Sequence, residues 1–420
     1  MDDVTGNRSQ TGSSTVVRSN GQDDYRARRL EVGRGIMRRL VAHIAAGGTT
    51  DLAPGLMEND PSAYVDPDHA EREKRELFLK LPLVAGLSQD IPRAGDVLLF
   101  DETDSPVVIV RQEDGGLLGF LNMCTHRGSK LVSTSRNAAC PVTNRLTCPF
   151  HGWTFDLAGG LCGVPGHQSF GSIDVSRHHL GRVPVSEWCG LVFVQATPGT
   201  GTLDVEKHLD SFAPELAQLE LTRAAPLKSS VLHAKTNWKL ALDTYCEGYH
   251  FARLHASTIG QTHYSNVAVF DGFEPHWRIY FPEQSFARLL SLPESEWPDM
   301  EYGGIHFIFP NTVIVAGSLG SGAGFMRMFR IFPGSAPGEM TCHISAYVLA
   351  DGAVEHPPSD IRSDQPDVES IVTQEDYQVA VDAYSNLAHA PPGFKLVYGR
   401  NEIALQALHQ SIGRALGISL

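Results

Sequence analysis

The sequence has little cysteine, and the count is odd: seven in 420 residues. A sparse, odd set does not make a disulfide framework and suits a reduced compartment, where thiolates bind metals or sit buried. Positive charge is also short, with 34 Lys and Arg against 48 Asp and Glu and a formal net charge of -14. That balance argues against nucleic acid and anionic membrane surfaces as partners. No window approaches the roughly 18 apolar residues of a membrane span, and the N-terminus lacks the basic and apolar blocks of a signal peptide. The expected product is a soluble cytoplasmic protein. A dinucleotide glycine fingerprint and a plant-type ferredoxin cysteine run are missing too, so any redox chemistry must take its electrons from a separate protein.

What is present divides the chain. Residues 1–24 are rich in Ser, Thr, Asn, Gln and Gly and read as a disordered tail. A helical segment fills 25–85, with helices expected over Tyr25 to Ala46 and Asp66 to Lys80, the second capped by Asp66 ahead of Pro67. Over 86–200 short Val, Leu, Ile and Phe runs (VLLF, VVIV, LLGFL, GLVFVQA), separated by turn residues, predict a small antiparallel β-domain. Residues 201–420 predict helices through Glu220, then one helical segment from Asn237 to His255. Six strands between 267 and 350 follow, then a polar loop (Asp351 to Pro366) and two closing helices, Val368 to His389 and Arg400 to Leu416. The class is α+β, an antiparallel sheet flanked by helices beside a smaller β-domain. The Gly-rich GSLGSGAG (317–324) has strands on both sides and no following helix, so it reads as a turn and not a phosphate loop.

Two constellations carry chemistry. The first is NMCTHRGSKL (122–131) with LTCPFHGWTFDLAG (146–159), which supplies Cys124, His126, Cys148 and His151 with 21 residues between His126 and Cys148. Two thiolates and two imidazoles can hold one zinc, or a [2Fe-2S] cluster with both cysteines on one iron and both histidines on the other. Zinc fingers usually pair like with like in each loop; here each loop offers one of each, as a two-iron cluster requires. Gly128, Gly152 and Pro149 permit tight turns whose amides can face the cluster sulfurs. Cys140, Cys162, Cys189, Cys246 and Cys342 have no suggestive His partner and are expected to be ordinary buried thiols.

The second constellation is NWKLALDTYCEGYHFARLHAS (237–257). On a helix Asp243, Glu247 and His250 share one face, but His255 lies about 140° from His250, so joint ligation needs a kink or π-bulge. Mononuclear Fe(II) that activates O2 takes two His and one carboxylate, leaving positions open. The third ligand must come from elsewhere.

CTHRG and CPFHGWTFD resemble the metal-binding loops of Rieske non-haem iron oxygenases, the family of aromatic-ring-hydroxylating dioxygenase alpha subunits. Asn237, Trp238, Lys239, Tyr249, His250 and His255 match its catalytic signature, and the likeness runs from about 80 to 418. It implies a helix-grip, START-like catalytic domain, with a [2Fe-2S] cluster on Cys124, His126, Cys148 and His151. It also implies mononuclear Fe(II) on His250, His255 and a late acidic residue. IVTQEDYQVAVDAY (371–384) supplies Asp376 for that place, with Glu375 the competitor and Asp382 more distant. The family arrangement is a homotrimer in which electrons pass from an NAD(P)H-linked reductase, with or without a ferredoxin, to the cluster. The onward path is His151, Glu247 across the subunit interface, His250 and the iron. Many members have Asp where this chain has Glu247, and Glu there is reminiscent of members that oxidise quaternary amines. The implied activity is O2-dependent hydroxylation, dihydroxylation or demethylation of a small organic molecule. A ring compound is favoured and an N-methylated amine is the alternative; a Rieske electron carrier without oxygenase activity lies outside the class. Asp243, Thr244, Phe251 and Leu254 are the candidate pocket residues.

Overall fold

The computed structural model describes residues 22–133, 144–318, 324–349 and 368–418. Cys140, the core of the Gly-rich segment, the 351–366 loop and most of the expected tail lie outside them.

The first helix, Gln22–Ala45, starts within the expected tail. It buries Ile36, Met37, Leu40 and Val41, and its arginines meet acids both near it in sequence and far along the chain. Arg29 pairs with Glu220, and Arg39 with Asp51 at 2.8 Å and with Asp271 at 2.5 Å. The capped helix forms as expected: Asp66 accepts from the Asp68 and His69 amides at 2.7 and 3.1 Å. It runs only over Pro67–Glu73, continuing as a π-helical turn, Lys74–Phe78.

The β-module contains a four-stranded sheet in the order Val97–Phe100, Val107–Arg111, Leu117–Leu121, Arg182–Val183. A second, three-stranded sheet of Arg145–Thr147, Thr154–Asp156 and Leu161–Gly163 carries one candidate metal loop. A third sheet pairs Leu191–Val194 with Val185–Trp188 on one side and Leu83–Leu87 on the other.

The larger part is a seven-stranded antiparallel sheet in the order Ala224–Ala234, Met340–Leu349, Gly324–Pro333, Thr312–Ser318, Ile305–Ile308, His276–Tyr280, Val269–Phe273. Its first strand was not expected, because it is an edge strand exposed over much of its length and interrupted by Pro226, which sits at a shift in register. Proline is tolerated there because an edge strand needs donors on one side only. Trp277, Ile279, Phe307 and Phe329 pack against Trp238, Ala241, Leu242 and Tyr245, so one sheet face supports the segment that carries the second constellation. The same core continues into Phe100, Val107, Ile109 and Val192 of the β-module.

That segment is anchored at its start. Asn237 caps the helix Trp238–Asp243 by accepting from the Lys239 amide at 2.9 Å. Lys239 and Glu73 form a fully buried ion pair at 2.5 Å, and Trp238 Nε1 donates to the other Glu73 oxygen at 2.8 Å. Breaking such a pair strands a buried charge, at a cost of about 3–5 kcal/mol. Among the described residues, no helix is long and apolar enough to cross a membrane. Of the five remaining cysteines, Cys246 and Cys342 are buried, but Cys162 is exposed and Cys189 only half-buried, because both lie in short surface-strand or turn segments and not in the core.

Candidate metal centres

The two Cys/His loops are built alike. Cys124 N–H donates to the Ser129 carbonyl and Gly128 N–H to the Cys124 carbonyl, at 2.8 and 2.9 Å. Cys148 N–H likewise donates to Trp153 and Gly152 N–H to Cys148, at 2.8 and 3.0 Å. Each loop closes on a glycine with φ of +75° or +73°, a conformation that a side chain disfavours. Both thiols are buried. Burial raises the Cys124 pKa above the usual thiol range. At Cys148 burial acts the same way but is outweighed by the Phe150 and His151 amides and by the neighbouring Cys124 and Ser129 side chains, so its pKa falls. Amides turned toward sulfur suit a thiolate, as expected from the sequence.

His126 and His151 stand with ring centroids 4.7 Å apart, and the Trp153 indole stacks on His126 at 4.7 Å. His126 Nδ1 is buried without a hydrogen-bond partner. His151 lies on the surface beside exposed Phe150. The two thiols lie side by side and so do the two imidazoles, the pairing that a two-iron cluster holds on its separate irons.

The ligand atoms of His250, His255 and Asp376 lie within 4.8 Å of one another. The helix expected to carry both histidines ends at Asp243, and residues 244–258 follow as turns. The 140° mismatch is thus removed by abandoning the helix. Gly260 allows the chain to close behind His255, donating to its carbonyl at 2.9 Å; a Cβ there would lie 2.8 Å from the same oxygen. The π-helical turn occurs instead at Val372–Asp376, directly ahead of the helix Tyr377–Leu387. It brings Glu375 and Asp376 to the histidines together. Tyr245 and Tyr377 hydroxyls meet at 3.0 Å and tie the two segments.

Each imidazole is oriented the same way. His250 Nδ1 is hydrogen-bonded to Glu247, and His255 Nδ1 donates to Glu375 Oε2 at 2.5 Å. With a carboxylate accepting at each Nδ1, each ring turns inward its Nε2, the atom that carries the lone pair when the imidazole is neutral. The two Nε2 atoms point at Asp376 Oδ1, 3.5 and 3.3 Å away. His250 Nε2 is buried and makes no hydrogen bond. Burial would depress the His250 pKa, but the Asp376 and Glu247 carboxylates raise it to about 9, and those of Asp376 and Glu375 raise His255. Asp376 moves down, against its own burial, through both histidines. Three carboxylates around two imidazoles make a site short of positive charge, and its donor set fits a divalent iron.

The model of the Rieske [2Fe-2S] domain matches residues 82–181, and that of the ring hydroxylating alpha subunit catalytic domain matches 221–418. The chain belongs to the Rieske oxygenases. Glycine betaine monooxygenase oxygenase subunit of Chromohalobacter salexigens is 30% identical over 192 residues, 46% of this chain and 42% of that one. Biphenyl dioxygenase subunit alpha of Paraburkholderia xenovorans is 30% identical over 235 residues, 53% and 48% of the two chains. The chain spans about half the length of the curated relatives it matches. A crystal structure of a quaternary ammonium Rieske monooxygenase superposes with a TM-score of 0.70 at 21% identity, over 86% of this chain and 96% of that one. The fold is therefore the α+β Rieske oxygenase fold. The cofactors of this Rieske oxygenase are a [2Fe-2S] cluster and mononuclear iron.

Of the four pocket candidates, Phe251 packs its ring against the two histidines, with centroids 5.0 Å from His250 and 5.8 Å from His255. Leu254 is half-buried. Thr244 bonds back to the Ala241 carbonyl at 2.9 Å. Asp243 is engaged by Tyr64 Oη at 2.6 Å and His409 Nε2 at 2.9 Å. Sequence reasoning missed that network, whose other members, Asn59 and Tyr398, lie far away in the chain. Asp382 is taken up by Gln378 at 3.2 Å.

Proposed function

We propose that this chain is the terminal oxygenase component of a multicomponent system that oxidises a small organic substrate with O2 and two electrons from NAD(P)H. The convergence of His250, His255 and Asp376, with both Nδ1 atoms already held by carboxylates, is the observation that carries this reading. Cys124, His126, Cys148 and His151 would hold the cluster, and His250, His255 and Asp376 the iron. When bound, the cluster supplies single electrons and the iron supplies O2 activation. Glu247 and Glu375 fix the two imidazoles and turn their Nε2 atoms toward Asp376. Asp376, itself buried, completes the set, and Phe251 helps exclude water beside it.

In this reading the chain works in the cytoplasm as a head-to-tail homotrimer, fed by a separate reductase with or without a ferredoxin. The exposed His151 faces a neighbour, and Glu247 is the residue through which that neighbour is coupled to His250. The domain division that goes with it is a helical segment at 25–85, a Rieske domain at 86–200 and a catalytic domain at 201–420.

For the substrate, the carboxylate on His250 is Glu247, and similar proteins are named for glycine betaine and quaternary ammonium oxidation. Both favour an N-methylated or quaternary amine over the ring compound preferred from the sequence. Ring hydroxylation is the second reading, supported by the likeness to biphenyl dioxygenase. Reconstitution with a reductase and NADH, followed by substrate-dependent O2 uptake with glycine betaine, carnitine and biphenyl, separates the two. The Glu247→Gln variant should keep both metals and lose turnover by roughly 10- to 100-fold, by analogy with other removed partners of metal-bound histidines. Full turnover in that variant would remove Glu247 from the electron path.

A further inference from the structure

The two carboxylates that hold the imidazoles are themselves held by different means. Glu247 Oε2 accepts from the Tyr249 amide and, at 3.3 Å, from the His250 amide, so the main chain fixes it. Glu375 stands on the π-helical turn, and its hydrogen-bond partners among the described residues are two side chains of the other segment, His255 and Thr258. One of these grips is the imidazole that it orients; the other is a single hydroxyl.

Thr258 Oγ1 lies 3.0 Å from Glu375 Oε2 and 3.2 Å from Oε1. It also lies 3.4 Å from the His255 carbonyl, but that oxygen already accepts from the Thr258 and Gly260 amides, both at 2.9 Å. A carbonyl oxygen has two lone pairs and a threonine hydroxyl has one hydrogen, so the hydrogen goes to the carboxylate. His255 Nδ1 donates to the same oxygen, Oε2, at 2.5 Å. Both lone pairs of Oε2 are thereby used. The amide bond from Thr258 back to His255 keeps hydroxyl and imidazole in one turn, so the two donors close on Glu375 together.

This grip bears on a choice between neighbours. Glu375 and Asp376 are adjacent acids on one turn, and either has the chemistry to ligate a divalent iron. Asp376 Oδ1 stands between both Nε2 atoms, on a side chain 5% exposed. The Glu375 side chain is 22% exposed and turned to the far nitrogen of His255.

We propose that Thr258 is a positioning residue that decides which of the two carboxylates faces the iron. By pinning Glu375 to His255 Nδ1 it fixes the ring and leaves the ligand place to Asp376. The inference rests on the reading of His250, His255 and Asp376 as iron ligands, and it adds a residue whose hydroxyl acts only through Glu375.

Affinity for the mononuclear Fe(II), measured on the cluster-loaded protein by competition with a chelator, is the test. Thr258→Val keeps the shape without the hydroxyl and should weaken iron about tenfold, the effect of losing a hydrogen bond to a charged group. Thr258→Ser returns the hydroxyl and should bind iron as the parent does. In a Glu375→Ala background Thr258→Val should have no further effect, because two residues acting through one interaction do not add. Unchanged affinity in Thr258→Val, a Thr258→Ser as weak as Thr258→Val, or additive losses in the double variant would overturn the proposal. Asp376→Ala separates it from the reading beneath it. Iron retained in Asp376→Ala removes the iron site and this role with it; iron lost there, with full affinity in Thr258→Val, removes the role of Thr258 alone.

Discussion

The two candidate metal centres are made from opposite kinds of backbone. The Cys/His centre rests on two loops that repeat the same pair of hydrogen bonds, each closed by a left-handed glycine four residues after its cysteine. Its ligands are local, and one of its histidines reaches the surface. The His/His/Asp centre joins segments 120 residues apart and uses a run of turns at one end and a π-helical turn at the other. Local centres are specified by short motifs; the second is specified by packing, through the Tyr245–Tyr377 contact and the buried Glu73–Lys239 pair. The first should fail all at once when a ligand is lost, and the second by degrees as its supports are removed.

Cys148→Ser tests the first half of that comparison with the largest effect. We expect a colourless protein without turnover that still folds and still binds iron at the second centre, read by visible absorption and metal analysis. Retained cluster absorption would show that a neighbouring thiol substitutes.

Glu375→Gln is a smaller perturbation of the second centre. It keeps shape but replaces the anion at His255 Nδ1, and we expect iron affinity to fall roughly 10- to 100-fold with the cluster untouched. Unchanged iron affinity would mean that packing alone orients His255.

The smallest effect is on acid stability, and it should fall on the sheet before the β-module. Burial pushes His208 and His306 to about 3 and His276 to about 4. These histidines stay neutral in the folded chain while the unfolded chain protonates near its ordinary value of about 6.5. Over that window the unfolded state binds more protons, so the contribution of these three histidines is complete above about pH 6.5 and declines as the pH drops toward 4. Urea midpoints between pH 8 and 4 should show the decline, and His306→Leu should flatten it; parallel curves for variant and parent would assign the acid sensitivity elsewhere.

The same contrast explains what could be read from the sequence. Cys124, His126, Cys148 and His151 were legible because motif and geometry occupy one stretch of chain. The Asp66 cap was legible for the same reason. The route by which His255 reaches His250 was not: a helix to residue 255 is locally reasonable, and only packing shows that it stops at Asp243. Glu375 and Asp376 were recognisable as a pair, but their division of labour depends on the wide turn beneath them. Asp243 resembled a pocket residue from its spacing, while its partners Tyr64 and His409 lie 179 and 166 residues away. The edge strand Ala224–Ala234 was hidden by its exposure and by Pro226.

The central claim is that Asp376, and not Glu375, completes an iron site independent of the Cys/His cluster. Iron and acid-labile sulfide analysis of the parent and of Asp376→Ala tests it most directly. The parent should carry about three irons and about two sulfides per chain, as a two-iron cluster plus one mononuclear iron requires. Asp376→Ala should lose about one iron and no sulfide, with no substrate-dependent O2 uptake. Full retention of iron in Asp376→Ala, or zinc in place of iron and sulfide in the parent, would contradict the account.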